Sequence, residues 1–153
     1  MLTHAVFALM ALPNILLAHA AASGQLGPEE DTLELSDDFI AGFRSRLNER
    51  AIELRFIAGD WTTFSTDQLD HVAHLVLTSE TVYRDASIPA LVSLLRSTAR
   101  SDATTLVAAK TVYFGLDGGE LAFRRRADKA AIDEVWRTEA GGIERVVLDV
   151  RWL

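Results

Sequence analysis

Apolar positions recur along this chain in two rhythms, one helical and one alternating, and their order predicts the elements. Residues 6–22, VFALMALPNILLAHAAA, form a nearly unbroken apolar run, followed by SGQLGPEEDTLELSDD, whose Gly, Pro and acids predict a solvated loop. Phe39, Ile40, Phe43 and Leu47 then fall at helical spacing, with Ser36 or Asp37 placed to cap the helix. Residues 52–58, IELRFIA, alternate and end in GDW, which predicts a strand feeding a turn. A second strand is expected over residues 72–77, with residues 78–80 as the loop after it. Residues 88–100, IPALVSLLRSTAR, read as a helix with Ser87 at its N-cap and Pro89 in its first turn. TTLVAAKTVYFG predicts a buried strand running into the turn GLDGG, LAFRRRADKAA a short helix, and residues 132–152 a hairpin turning at Ala140-Gly141-Gly142. Strands alternating with helices imply an α/β fold built on a parallel sheet, with the terminal hairpin adding an antiparallel edge.

Composition narrows the class. The chain has 153 residues, enough for one domain with a sizeable core, and is 49% apolar and 24% charged, which is globular rather than disordered. Its 15 basic against 22 acidic residues give a net charge of -7, which argues against direct nucleic-acid binding and suits a basic protein partner. With no cysteine there is no disulfide framework, thiolate metal site or thiol nucleophile. The longest apolar run is broken at Pro13-Asn14, so no membrane span is expected. The first segment has two readings. Its small-residue tail fits a secretory leader, but MLTH carries no Lys or Arg and Pro13-Asn14 interrupts the run.

In an open parallel sheet, ligands sit beyond the carboxyl ends of the strands, so the residues just after each strand carry the candidate chemistry. Asp60 can accept hydrogen bonds from an exocyclic amine, and Trp61 can offer a flat wall to an aromatic ring; structurally, the same residues read as a helix cap and a core side chain. Glu80 and Tyr83 set a carboxylate and a phenol at a strand end, a pairing common by chance. His71 and His74 fall on opposite faces of a strand start, so no shared metal is expected. Arg124-Arg125-Arg126 reads as a solvated helix face. No G-x-S-x-G, phosphate loop or early G-x-G motif is present.

Taken in order, VFALMALPNILLA, FIAGDW, LTSETVY and AAKTVYFGLDGG resemble the eukaryotic protein-histidine methyltransferases, of the seven-β-strand, S-adenosylmethionine-dependent class. The likeness runs from about Val6 to the final VVLDVRW. It implies a partial Rossmann-like fold, forming a single domain, with S-adenosylmethionine as cofactor and a histidine-bearing protein of the ribosomal class as substrate. It further implies a cytoplasmic or nuclear setting. By resemblance, Gly59, Asp60, Trp61 and Ser79 contact the cofactor and Glu80 with Tyr83 faces the substrate.

The sequence also departs from that pattern. The family's Gly-rich loop and acidic D-[YF]-N motif have no counterpart ahead of Met1-Leu2-Thr3, Ala11 replaces a Thr, and Asp117 replaces a Gly. The resemblance therefore implies a fold lacking its first two strands, and it favours a helix over a secretory leader for residues 6–22. The missing strands would lie beside IELRFIA and HLVL, and each buried backbone group left without a partner costs about 1 to 3 kcal/mol against a margin of about 5 to 15 kcal/mol. Two alternatives stay open: an inactive scaffold that binds a partner through an exposed half-sheet, and a small secreted protein.

Overall fold

The computed structural model describes residues 10–27, 32–138 and 142–153. Residues 6–9 of the expected first helix, and Ala140-Gly141 of the expected hairpin turn, lie outside the described residues. The chain divides into two compact units, one ending at Gly59 and the other comprising Asp60–Leu153.

The first unit is helical. Helix α1 spans Leu12–Ala22 with Pro13 in its first turn, and residues 10 and 11 ahead of it form a π-helical turn. Helix α2 spans Asp37–Glu49, and the Ser36 side chain accepts the Phe39 N–H at 3.2 Å, as the spacing predicted. Leu16 and Ala20 of α1 bury against Phe39 of α2, while the His19 ring meets Phe39 and Phe43 edge-on at 5.5 and 5.1 Å. Ala51, at φ 51°, turns the chain out of α2 as the Ile52 N–H reaches back to the Leu47 carbonyl.

Residues 52–58 correct the first strand expectation. They form no strand, and Ile52, Leu54 and Ile57 stand more than a third exposed. Alternation marks which side chains share a face, but a strand exists only where a second backbone pairs with it. The sheet formed by the described residues has four strands, and this segment is not one of them.

The second unit contains that sheet. Strand β1 is Ala73–Ser79, helix α3 Ile88–Thr98, strand β2 Ala99–Lys110, helix α4 Glu120–Arg126, strand β3 Ala130–Arg137 and strand β4 Arg145–Trp152. The order across the sheet is β1-β2-β4-β3. Only β1 and β2 pair in parallel, with α3 as the crossover; β4 runs antiparallel to both β2 and β3. The sheet is thus mixed, a partial Rossmann-like α/β half closed by an antiparallel hairpin, and its parallel part is smaller than the alternation of elements suggested. Ser87 occupies the N-cap of α3, but its hydroxyl donates back to the Arg84 carbonyl instead of capping, because a 3₁₀ turn over Asp85–Ser87 precedes the helix.

One face of the sheet carries the core. Val107 and Ala109 of β2 and Val146, Leu148 and Val150 of β4 alternate onto the face covered by Ile88, Leu91 and Leu95 of α3 and Phe123 of α4. Burying each of these larger side chains contributes roughly 1.5 to 3 kcal/mol. Thr105 lies in the same row, fully buried, and among the described residues its Oγ1 has no hydrogen-bond partner. An unsatisfied buried hydroxyl costs about 1 to 3 kcal/mol, and valine has nearly the same shape. Thr105→Val is accordingly expected to raise the unfolding midpoint by about 3 °C in a thermal scan, from about 1 kcal/mol of recovered stability.

Candidate functional site

The site is built where β1 and β2 end together. Their last residues pair in parallel, Ser79 opposite Ala108, and the chain leaves β1 through Glu80 at φ 56°. A left-handed backbone is unfavourable for a residue with a Cβ, by about 1 to 2 kcal/mol. It is held here by the Glu80 N–H, which donates to the Ala108 carbonyl at 2.9 Å. Backbone strain imposed in this way at a strand end marks residues whose side-chain direction matters.

The direction is toward β2. Glu80 Oε2 lies 3.4 Å from Lys110 Nζ, and that ammonium sits 5.4 Å from the centre of the Tyr113 ring. The Tyr113 hydroxyl accepts the Lys110 N–H at 3.2 Å. Burial pushes the Tyr113 phenol above its ordinary range and the Glu80 carboxylate adds to the shift, outweighing the Lys110 N–H, which lowers it. Tyr113 is therefore a proton-bearing donor at neutral pH, and Glu80 and Lys110 form a half-exposed ion pair beside it.

Two loops are locked together behind this cluster. The Gly119 N–H donates to the Val82 carbonyl at 2.8 Å and the Gly118 N–H to the Tyr83 carbonyl at 3.2 Å. Asp117 Oδ1 accepts the Asp85 N–H at 3.1 Å, so the acid that departs from the family's glycine ties the two loops through its side chain. Arg126 adds an ion pair to Asp85. Arg124 pairs with Glu120 at 2.9 Å and donates to the Ile132 carbonyl at 3.0 Å. The arginine run keeps the expected exposed face at Arg125 and Arg126, while Arg124 is partly buried; Arg124 and Arg126 pair with acids of their own chain, and Arg125 lies beside Asp85 and Asp117.

The residues singled out in the sequence divide accordingly. Ser79 and Glu80 share one cavity of about 360 Å³, which Ala108, Lys110, Trp136 and Arg145 also line. Tyr83 turns toward Tyr113, their rings 6.3 Å apart, while Glu80 turns toward Lys110. Asp60 caps the 3₁₀ turn Trp61–Thr63, its Oδ1 accepting the Thr62 N–H at 2.8 Å and the Thr62 hydroxyl at 2.7 Å; these bonds hold the carboxyl below its usual range. Trp61 is 37% exposed and not a core residue, which corrects the structural reading of it. Gly59 is exposed, and a Cβ there would meet nothing within 4 Å. His74 Nε2 lies 2.8 Å from an Arg100 nitrogen, and the described residues contain no group of acids and histidines able to hold a metal. Trp136 and Arg145 were not singled out by the sequence, because nothing in EVWRT or IERVV announces that they meet the end of β1.

No family model matches the chain. Its sequence is similar to curated proteins called histidine protein methyltransferase 1. Over 147 residues it is 26% identical to the homolog from Bos taurus, and over 130 residues 31% identical to the protein from Schizosaccharomyces pombe. These matches cover 91% and 80% of this chain but 39% and 38% of those proteins, so the chain spans about two-fifths of the length of these relatives. Among solved structures, the glycopeptide N-methyltransferase MtfA complexed with sinefungin is 16% identical with a TM-score of 0.47, covering 78% of this chain and 75% of that one.

Proposed function

We propose that this chain carries a site for S-adenosylmethionine-dependent methyl transfer to a histidine side chain of a protein. The observation that carries this reading is the similarity to histidine protein methyltransferases along 91% and 80% of the chain. The strained Glu80 at the end of β1 supplies the chemistry.

The described residues suit such a cofactor in kind. Asp60 uses only Oδ1 toward Thr62, leaving Oδ2 for an amine donor; Trp61 offers a part-exposed ring, and the Ser79 hydroxyl lines the cavity with Glu80. By the resemblance, Asp60, Trp61 and Ser79 would hold it, and the group would supply an electrophilic methyl on a sulfonium when bound. The protein's own task is lighter. A neutral imidazole is already nucleophilic at cellular pH, since its ordinary pKa is near 6.5. The site needs to fix one ring nitrogen in line and accept the N–H of the other, which is the role assigned to Glu80, with Lys110 beside it orienting the carboxylate. Tyr83 borders the same loop on the substrate side. A substrate of the ribosomal protein class, itself basic, suits the net charge of -7, and a cytoplasmic or nuclear setting suits that substrate.

A thermal-unfolding scan with and without S-adenosylhomocysteine tests cofactor binding directly. At a hundredfold excess over the dissociation constant the ligand should stabilise the fold by about 2.7 kcal/mol, and a transition indifferent to the ligand would remove this reading. One observation favours a second reading, a partner-binding scaffold. Strand β1 is the edge of the sheet, and its Leu75 and Leu77 are 56% and 64% exposed. A stable protein complex formed without any cofactor would support that reading.

A further inference from the structure

The hairpin contributes a residue to the cavity that the sequence pattern hides. Strands β3 and β4 pair regularly through Asp133 opposite Asp149 and Glu134 opposite Leu148, and then the register shifts, so that Trp136 rather than Val135 faces Val147. Without that extra residue Trp136 would lie opposite Val146, whose side chain is fully buried on the core face. The bulge instead sends the indole to the other face, as bulges beside functional sites do.

On that face it completes a row. Ser79 pairs with Ala108, Ala108 with Val147 and Val147 with Trp136, so one transverse line crosses all four strands at the end of the sheet where β1 and β2 terminate. Ala108 leaves the middle of the row low, with Glu80 and Lys110 on one side and the indole, 52% exposed, on the other. A large aromatic surface left half exposed beside a cavity is open to a flat ligand stacking against it. Lys110 and Arg145 face the single Glu80 carboxylate there, and two cations against one anion disfavour a protonated imidazole.

We propose that Trp136 is the platform on which the target imidazole stacks while its N–H is turned toward Glu80. This rests on the methyl-transfer reading above and adds to it a substrate-binding residue on β3. The occupant is a flat, neutral, hydrogen-bonding ring carried on a peptide.

The test follows the three tryptophan indole N–H signals of the chain by NMR, assigned with Trp136→Phe, during titration with a Gly-Gly-His-Gly-Gly peptide and with a Gly-Gly-Leu-Gly-Gly control. The expected result is a saturable shift of the Trp136 signal with the histidine peptide alone. Trp136→Ala, followed through the backbone amides of Ala108 and Val147, should weaken that binding on the order of tenfold. Unchanged thermal unfolding of both variants would show that the half-exposed ring is not needed for folding. A Trp136 signal unmoved by the histidine peptide, or moved equally by the leucine peptide, overturns the proposal. Parallel scans with S-adenosylhomocysteine separate the two readings. Ligand stabilisation with a silent Trp136 removes the platform alone, whereas a shifted Trp136 without ligand stabilisation keeps the imidazole site and removes the methyl-transfer reading.

Discussion

Gly118→Ala is expected to destabilise the protein by about 3 to 5 kcal/mol, lowering the unfolding midpoint by roughly 10 °C. A Cβ at position 118 would lie 2.1 Å from the Val82 carbonyl oxygen, 2.4 Å from the Tyr83 carbonyl carbon and 2.6 Å from the Arg84 nitrogen. All three are backbone atoms, so no side-chain rotation relieves the overlap. The loop after β1 and the loop after β2 must separate, which also gives up the bonds from Gly118 to Tyr83 and from Gly119 to Val82. Each such bond contributes about 1 kcal/mol net, and the overpacking adds a further 1 to 3 kcal/mol. Gly59→Ala is the matched control, since its added carbon meets nothing within 4 Å and its stability should stay within about 0.5 kcal/mol of the parent. Equal midpoints for the two variants in a thermal scan would show that the loops are not joined as described. Gly118 is therefore needed for close approach between backbones, and Glu80 leaves β1 at the head of the loop so fixed.

Glu80 itself should separate stability from activity. Glu80→Gln keeps the left-handed backbone and nearly the same shape but loses the negative charge facing Lys110, and turnover should fall roughly 10- to 100-fold. That range corresponds to a charged hydrogen bond of about 1.5 to 3 kcal/mol made to the substrate ring. Glu80→Gly removes the same carboxylate and also relieves the strain at φ 56°. Its stability should equal or exceed the parent's by up to about 1 kcal/mol while activity is lost as fully. The ion pair to Lys110 does not reverse that sign, because it is half exposed and such pairs contribute at most about 1 kcal/mol. Full turnover and unchanged substrate affinity in Glu80→Gln would remove the carboxylate from the mechanism.

What could be read from the sequence followed local physics. Helix α2 was legible because Ser36, Phe39, Ile40 and Phe43 state both its cap and its buried face, and α3 because Pro89 and the spacing of Ile88, Leu91 and Leu95 do the same. The hairpin was legible from its alternation, and Glu80 from its place after an apolar strand. The missed features all depend on partners distant in sequence. IELRFIA has the alternation of a strand, yet pairing is a property of two segments, and no second segment is written into the first. Trp136 owes its direction to one extra residue relative to β4, which composition does not encode. Asp117 looked like a lapse from a glycine pattern until its carboxylate was found on the Asp85 N–H, 32 residues away in sequence.

The most direct test of the account is mass spectrometry of a histidine-containing protein substrate after incubation with this chain and S-adenosylmethionine, with fragmentation to locate any added methyl group. The account predicts one methyl on a histidine ring nitrogen, strongly reduced with Glu80→Gln. A folded chain that leaves every histidine unmodified, or that places the methyl on another residue type, would contradict it.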